Sequence, residues 1–119
     1  MSDAATSAIE VEPERVAAAL GGDAESAAHV IDVREDYERE AGHIAGTEHI
    51  RLVELSQRAP EIDRERPVIF YCRVGSRSAM AAEAFRAAGY EAYSMAGGLV
   101  RWAHEGRPLE PEDGTVAQH

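Results

Sequence analysis

The stretch PVIFYCRVGSRS, residues 67–78, decides the fold. Residues 67–71 form an apolar run rich in β-branched and aromatic side chains, which predicts a buried central strand. A loop with glycine and serine follows, and a helix is predicted from about Ser78 to Ala88, ending at Gly89. A strand that passes through a short loop into a helix is typical of α/β proteins. The apolar face of this helix is predicted to comprise Met80, Ala81, Ala84, Phe85 and Ala88.

The same alternation continues on both sides of this stretch. Strands are predicted at residues 9–11, 29–33 and 91–95, helices at 13–20, 35–41 and 99–104, and a helical turn at 52–57. This order favours one α/β domain with a mostly parallel central sheet and helices on both faces. The domain is predicted to span residues 9–108, between a flexible N-terminal tail at 1–8 and a flexible acidic C-terminal tail at 109–119.

Composition disfavours several classes of function. The chain has 119 residues, 45% of them hydrophobic, enough for one domain with a core. Its net charge of -10 disfavours nucleic acid and anionic lipid as partners. With no secretory signal and no apolar run of about 18 residues, a soluble cytoplasmic protein that does not bind membranes is expected. One cysteine excludes an intrachain disulfide, and five histidines without ligand spacing predict no metal.

That single cysteine, Cys72, lies where the predicted central strand ends and the predicted helix is about to begin. Backbone N–H groups at a helix start lack partners within the helix and form a nest for an anion. Gly75 permits the left-handed backbone of a tight loop, and Arg73 and Arg77 are the only charged residues from 67 to 82. A lone cysteine after an apolar strand is otherwise most often a buried hydrophobe. The loop instead predicts a solvent-accessible thiolate and a candidate nucleophile.

Three motifs resemble those of rhodanese domains. Residues 72–78, CRVGSRS, match that family's active-site loop, Cys-Arg-x-Gly-x-Arg-Ser. DVR at 32–34, followed by Glu38 and by GHIAG at 42–46, resembles its upstream motif. A third stretch resembles the family's C-terminal motif: AGG at 96–98 with Trp102, Gly106 and Pro108. Together the motifs span about residues 29–108, and the weaker N-terminal elements also fit the layout of the family.

The chain departs from the family pattern around the upstream motif. Arg39 replaces a usual aromatic residue and Thr47 a usual alanine, and Ala45 and Arg51 stand where prolines are common. None of these departures touches the cysteine loop. We therefore expect a changed loop near the upstream motif and an unchanged sulfur site.

The resemblance implies a single-domain sulfurtransferase with a ping-pong mechanism and no cofactor. Cys72 would take sulfane sulfur from a donor such as thiosulfate, hold it as a persulfide, and pass it to cyanide or a thiol. A protein is a possible sulfur acceptor as well. Backbone donors of the loop would hold the persulfide's negative charge. The predicted binding residues are Arg73, Val74, Gly75, Ser76 and Arg77.

Several alternatives stay open at this point. The same thiolate would serve a non-enzymatic sulfur carrier, a redox-sensing module or an arsenate reductase on a related fold. Cysteine phosphatases place one more residue between cysteine and arginine, so the spacing from Cys72 to Arg77 favours sulfur over phosphate. Arg77 either attracts the donor or braces the loop by pairing with a carboxylate. Asp32 and Arg34 are more typical of structural ion pairing than of catalysis, with Glu38 as a candidate partner of Arg34.

Overall fold

The computed structural model describes residues 9–119 and shows a five-stranded sheet. Its strands are β1 Glu10–Val11, β2 His29–Asp32, β3 Glu48–His49, β4 Val68–Tyr71 and β5 Ala92–Met95. All neighbouring strands are parallel, in the order β1-β5-β4-β2-β3. The predicted α/β class and the central position of β4 are confirmed. The sequence did not predict β3, which is only two residues long, and the predicted tail at 1–8 lies outside the described residues.

Residues 9–119 contain five α-helices, of which the first four lie between strands and the last follows β5: α1 Pro13–Leu20, α2 Asp36–Ala41, α3 Leu55–Arg58, α4 Ser76–Ala87 and α5 Gly98–His104. Short 3-10 turns occupy Ala24–Ser26, Leu52–Glu54 and Ala59–Glu61. α1 begins with a proline and ends before Gly21, as predicted. α4 begins two residues earlier than predicted, directly after Gly75. No helix in this part of the chain is long and apolar enough to cross a membrane.

The buried face of α4 is only partly the predicted one. Ala81 and Phe85 are buried as predicted, but Ala82 and Ser78 join them. The other three predicted positions, Met80, Ala84 and Ala88, are exposed. Alanine occupies much of this helix, so apolar spacing alone does not fix which side faces the sheet. The packing of Phe85 against β4 shows which side of α4 faces the sheet.

Successive residues at the end of β4 alternate between two buried clusters, one on each face of the sheet. Phe70 belongs to one cluster, where the ring of Phe85 from α4 meets it edge-on at 5.0 Å between centroids. Tyr71 belongs to the other cluster, together with Trp102 of α5. Cys72 returns to the α4 side. The prediction of helices on both faces is therefore confirmed.

Residues 109–119, predicted as a flexible acidic tail, lie against the domain. His43 N donates to Glu110 O at 3.0 Å and Glu110 N to His43 O at 2.7 Å, which forms an antiparallel bridge. Thr115 N donates to the last carbonyl of α2 at 2.8 Å. Leu109 and Val116 pack against the core on the α1 and α5 side. The flexibility of this segment stays a prediction.

Candidate active site

The sulfur of Cys72 lies among backbone donors at the carboxyl end of β4. Gly75 N and Ser78 N donate to Cys72 Sγ at 3.1 and 3.3 Å, and Ser78 Oγ lies 3.5 Å from the same sulfur. Gly75 has a φ of 110°, a left-handed conformation that a side chain would strain. Ser78 N is one of the amides in the first turn of α4 that have no partner within the helix. The loop therefore has the anion nest that the sequence predicts.

The start of α5 supports the loop from its other side. Leu99 N donates to Cys72 O at 2.8 Å, and Val100 N donates to Arg73 O at 3.0 Å. Gly98 has a φ of 62°, and a Cβ atom there would clash with the Arg73 carbonyl. The turn at Gly97 and Gly98 thus lies against the cysteine loop. α5 therefore holds the backbone of the loop at Cys72 and Arg73.

Arg77 pairs with a buried carboxylate of α2. Its Nη1 and Nη2 donate to the two oxygens of Glu38 at 2.8 and 2.9 Å, and Glu38 is 0% exposed. Glu38 Oε1 also accepts from Glu35 N at 2.9 Å in a capping box at the start of α2. Burial opposes ionisation of Glu38, but the hydrogen bonds from Arg77 and Glu35 outweigh it and lower the pKa of Glu38. Arg77 thus ties α4 to α2.

Arg73 has a different environment from Arg77. Within residues 9–119 no carboxylate pairs with Arg73, and its buried Nε has no hydrogen-bond partner. The other two predicted binding residues, Val74 and Ser76, have exposed side chains on the outside of the loop. Of the two loop arginines, Arg73 is therefore the one whose charge no described carboxylate neutralises.

A buried ion pair lies at the end of the neighbouring strand β2. Arg34 Nε and Nη2 each donate to an oxygen of Asp32 at 2.9 Å, and both residues are 0% exposed. Arg34 Nη2 also donates to Gly42 O at 2.8 Å. The predicted pairing of Arg34 with Glu38 is wrong, because Arg77 occupies Glu38 and Asp32 lies only two residues from Arg34. Burial, reinforced by the charge of Asp32, raises the pKa of nearby Tyr71 to about 12.

Two departures from the family pattern contact each other. Arg39 Nη1 donates to Thr47 Oγ1 at 3.0 Å, and Arg39 Nη2 donates to Thr47 O at 2.7 Å. Thr47 Oγ1 in turn donates to Ile44 O at 2.6 Å and lies 3.1 Å from the hydroxyl of Tyr71. Arg39 also approaches Asp32 at 3.4 Å. The pair therefore adds hydrogen bonds to the polar network beside β4, and none of these bonds involves residues 72–78.

The sulfur is closed off from solvent. Cys72 is 0% exposed, because residues of its own loop and Ser78 surround Sγ. The prediction that solvent reaches this sulfur is wrong for this conformation.

Ser94 of β5 lies beneath the loop, although no motif singles it out. Its Oγ is 2.7 Å from Ser78 Oγ, and both residues are 0% exposed. Ser78 matches the family loop but is absent from the predicted binding residues. Ser94 shares a sheet face with Ala92, which belongs to the core. A polar residue at a core position of a strand was the signal that could have identified it.

The chain matches known proteins along most of the described domain. A family model described as Rhodanese-like domain matches residues 12–105. The chain is 45% identical over 76 residues to the uncharacterized protein YqhL of Bacillus subtilis, covering 63% of this chain and 60% of that protein. It is 30% identical over 86 residues to the putative sulfurtransferase YtwF of the same organism, covering 72% and 84%. A solved structure, a rhodanese-related protein from Thermoplasma volcanium, has a TM-score of 0.75 at 28% identity, covering 84% of this chain and 95% of that one.

Proposed function

The chain belongs to the rhodanese-like domain family, and from this premise we propose that it is a sulfurtransferase whose Cys72 carries sulfane sulfur as a persulfide. The observation that carries the proposal is the pair of amides, Gly75 N and Ser78 N, directed at Cys72 Sγ. Preorganised donors of this kind stabilise negative charge on sulfur without reorganising during the reaction. The relative YtwF, named a putative sulfurtransferase, gives independent support.

In the loading step, the Cys72 thiolate attacks the outer sulfur of a donor such as thiosulfate. The S–S bond of the donor breaks, its electron pair leaves with sulfite, and a new bond joins Sγ to the transferred sulfur. The negative charge now lies on the outer sulfur. We propose that backbone N–H groups of residues 73–77 stabilise that charge, in support of which Gly75 N already donates to Sγ at 3.1 Å.

In the unloading step, cyanide or a thiolate attacks the outer sulfur. The bond from Sγ to that sulfur breaks, and its electron pair returns to Cys72 as the thiolate. No proton is required in either step, so no general base is needed. Arg73, whose guanidinium is unpaired among the described residues, is proposed to attract the anionic donor, while Arg77 holds the loop on Glu38.

The surface around the loop favours a protein as one of the sulfur partners. The large hydrophobic side chains that are exposed within residues 9–119 are Tyr37, Val53, Val74, Met80 and Val100. All five lie in the cysteine loop or in the segments that follow β2, β3, β4 and β5, at the carboxyl ends of these strands. Exposed apolar groups gathered at one end of a domain are typical of a protein interface.

A free cysteine suits a reducing compartment, and we propose a cytoplasmic location.

Incubation with thiosulfate tests the proposal. We expect the intact mass to rise by one sulfur atom, and we expect cyanide to remove that atom again with formation of thiocyanate. The variant Cys72→Ser should gain no sulfur. Retention of the wild-type mass with every sulfane donor tried would refute the proposal.

A sulfur carrier is the second candidate, and the burial of Cys72 favours it. A closed loop slows the arrival of a small donor, so sulfur would instead come from a docked protein that opens the loop. The two functions differ in turnover. An enzyme cycles rapidly between thiosulfate and cyanide, whereas a carrier loads and then waits for its partner.

A further inference from the structure

We propose that Ser94 is a positioning residue, which turns the hydroxyl of Ser78 toward Cys72 Sγ and so stabilises the unloaded thiolate against the persulfide. The inference deepens the proposed sulfur-transfer function and rests on it. The side chains of Ser94, Ser78 and Cys72 form a short row of hydrogen-bonding groups beneath the loop. Ser94 Oγ lies 2.7 Å from Ser78 Oγ, which lies 3.5 Å from Cys72 Sγ, and all three residues are 0% exposed.

The number of hydroxyl hydrogens determines which group donates and which accepts in this row of hydrogen bonds. Among residues 9–119, Ser94 Oγ has one hydrogen-bond partner, Ser78 Oγ. A buried hydroxyl hydrogen needs an acceptor, so Ser94 donates to Ser78. The one hydrogen of Ser78 is then free for Gly75 O, at 3.2 Å, or for Cys72 Sγ. An anionic sulfur is a stronger acceptor than a neutral carbonyl, so ionised Cys72 takes the hydrogen.

The charge on Sγ differs between the two states of the site. In the unloaded protein Sγ is an anion and accepts the hydrogen bond from Ser78. In the persulfide Sγ is bonded to two atoms and is neutral, and the charge lies on the outer sulfur. Removing the donation therefore destabilises the unloaded state more than the loaded one. The equilibrium shifts toward the persulfide, and unloading slows because Sγ is the leaving group.

The test is the ratio of thiosulfate to sulfite at which half of the protein is loaded, read from intact masses after equilibration. We expect Ser94→Ala to lower this ratio about fivefold and Ser78→Ala about tenfold, as the loss of a neutral and of a charge-assisted hydrogen bond predicts. The double variant should match Ser78→Ala, because Ser94 acts only through Ser78.

Ser94→Thr and Ser94→Val are the matched controls, since they share one shape and differ by the hydroxyl. Ser94→Thr should keep the wild-type ratio of thiosulfate to sulfite, and Ser94→Val should lower it. A ratio that Ser94→Val leaves unchanged, or one that Thr and Val change equally, overturns the proposal. If the wild type takes up no sulfur, the proposed function fails instead. The rate at which iodoacetamide alkylates Cys72 at one fixed pH then decides: Ser94→Val reacts more slowly than Ser94→Thr, or the proposal is wrong.

Discussion

At the scale of single residues, Arg73 and Arg77 show how one loop uses the same side chain in two ways. Arg77 makes two hydrogen bonds to Glu38, which is 39 positions away in sequence. Arg73 has no such partner among residues 9–119. The motif supplies both arginines, but it does not say which carboxylate comes near either of them. Their division of roles therefore depends on where α2 places Glu38.

Glu38→Gln tests the bracing role of Arg77 through stability. The substitution leaves a largely buried guanidinium without its carboxylate, and we expect a loss of about 3 kcal/mol at pH 7. The pKa of Glu38 is lowered on folding, so its contribution is present above the unfolded value, near 4.5, and is lost as pH falls through the lower folded value. Stability should therefore fall less steeply with acid in the variant than in the wild type.

Thermal unfolding from neutral to acidic pH measures this difference. Glu83→Gln is the control, because it removes an exposed carboxylate from α4 and should leave both the stability and its pH dependence nearly unchanged. Equal acid sensitivity of wild type and Glu38→Gln would show that the Arg77 pair does not contribute as described.

At the scale of elements, the cysteine loop is held between two helices. α4 supplies the amide of Ser78 to the sulfur, and α5 supplies the amides of Leu99 and Val100 to the loop carbonyls. This arrangement requires α5 to approach the loop backbone closely, and only glycine at position 98 leaves room for that approach.

Gly98→Ala should therefore disturb the loop more than an ordinary glycine substitution. A Cβ atom at this position meets the carbonyls of both Cys72 and Arg73, in addition to the cost of a left-handed backbone. We expect a destabilisation of about 3 kcal/mol and slower uptake of sulfur. Gly106→Ala is the matched control: its φ is 79° and its Cβ would meet nothing within 4 Å, so it should cost only about 1 kcal/mol. Chemical denaturation and sulfur-loading rates compare the two, and equal effects would contradict the close-approach argument.

The sequence predicted those elements whose signals are local. The run of residues 68–71 and Gly75 after it were sufficient to place β4, the loop and the start of α4 to within two residues. The sequence did not predict β3 because two residues are too few to show a periodic pattern. β3 is defined instead by its hydrogen bonds to the neighbouring strand β2. The exposed Met80 was assigned to the core because an alanine-rich helix has no clear apolar side. The contact of Ser94 with Ser78 depends on the register of β5, which local sequence does not encode.

At the scale of the whole molecule, the polar contacts join segments that are distant in sequence. Asp32, Arg39, Thr47 and Tyr71 come from β2, α2, the segment before β3, and β4, yet they form one network. The sequence predicted structural ion pairing for Asp32 and Arg34 and, as one of two alternatives, a carboxylate partner for Arg77. Local sequence did not identify the pairs that form, Asp32 with Arg34 and Glu38 with Arg77. The same holds for residues 109–119, whose acidic composition predicted a loose tail although two of their side chains pack on the core.

Deletion of residues 109–119 distinguishes a docked segment from a loose one. Leu109 and Val116 are half-buried against the α1 and α5 side of the core, and the segment also bridges His43. Loss of this apolar contact should cost about 2 kcal/mol, or roughly 8 °C in melting temperature. None of its described hydrogen bonds reaches residues 72–78, so sulfur loading at low temperature should be unchanged. The double substitution of Leu109 and Val116 by alanine should reproduce most of the loss in the full-length chain. An unaltered melting temperature after the deletion would mean that the segment contributes no stability and behaves as the flexible tail that its composition predicts.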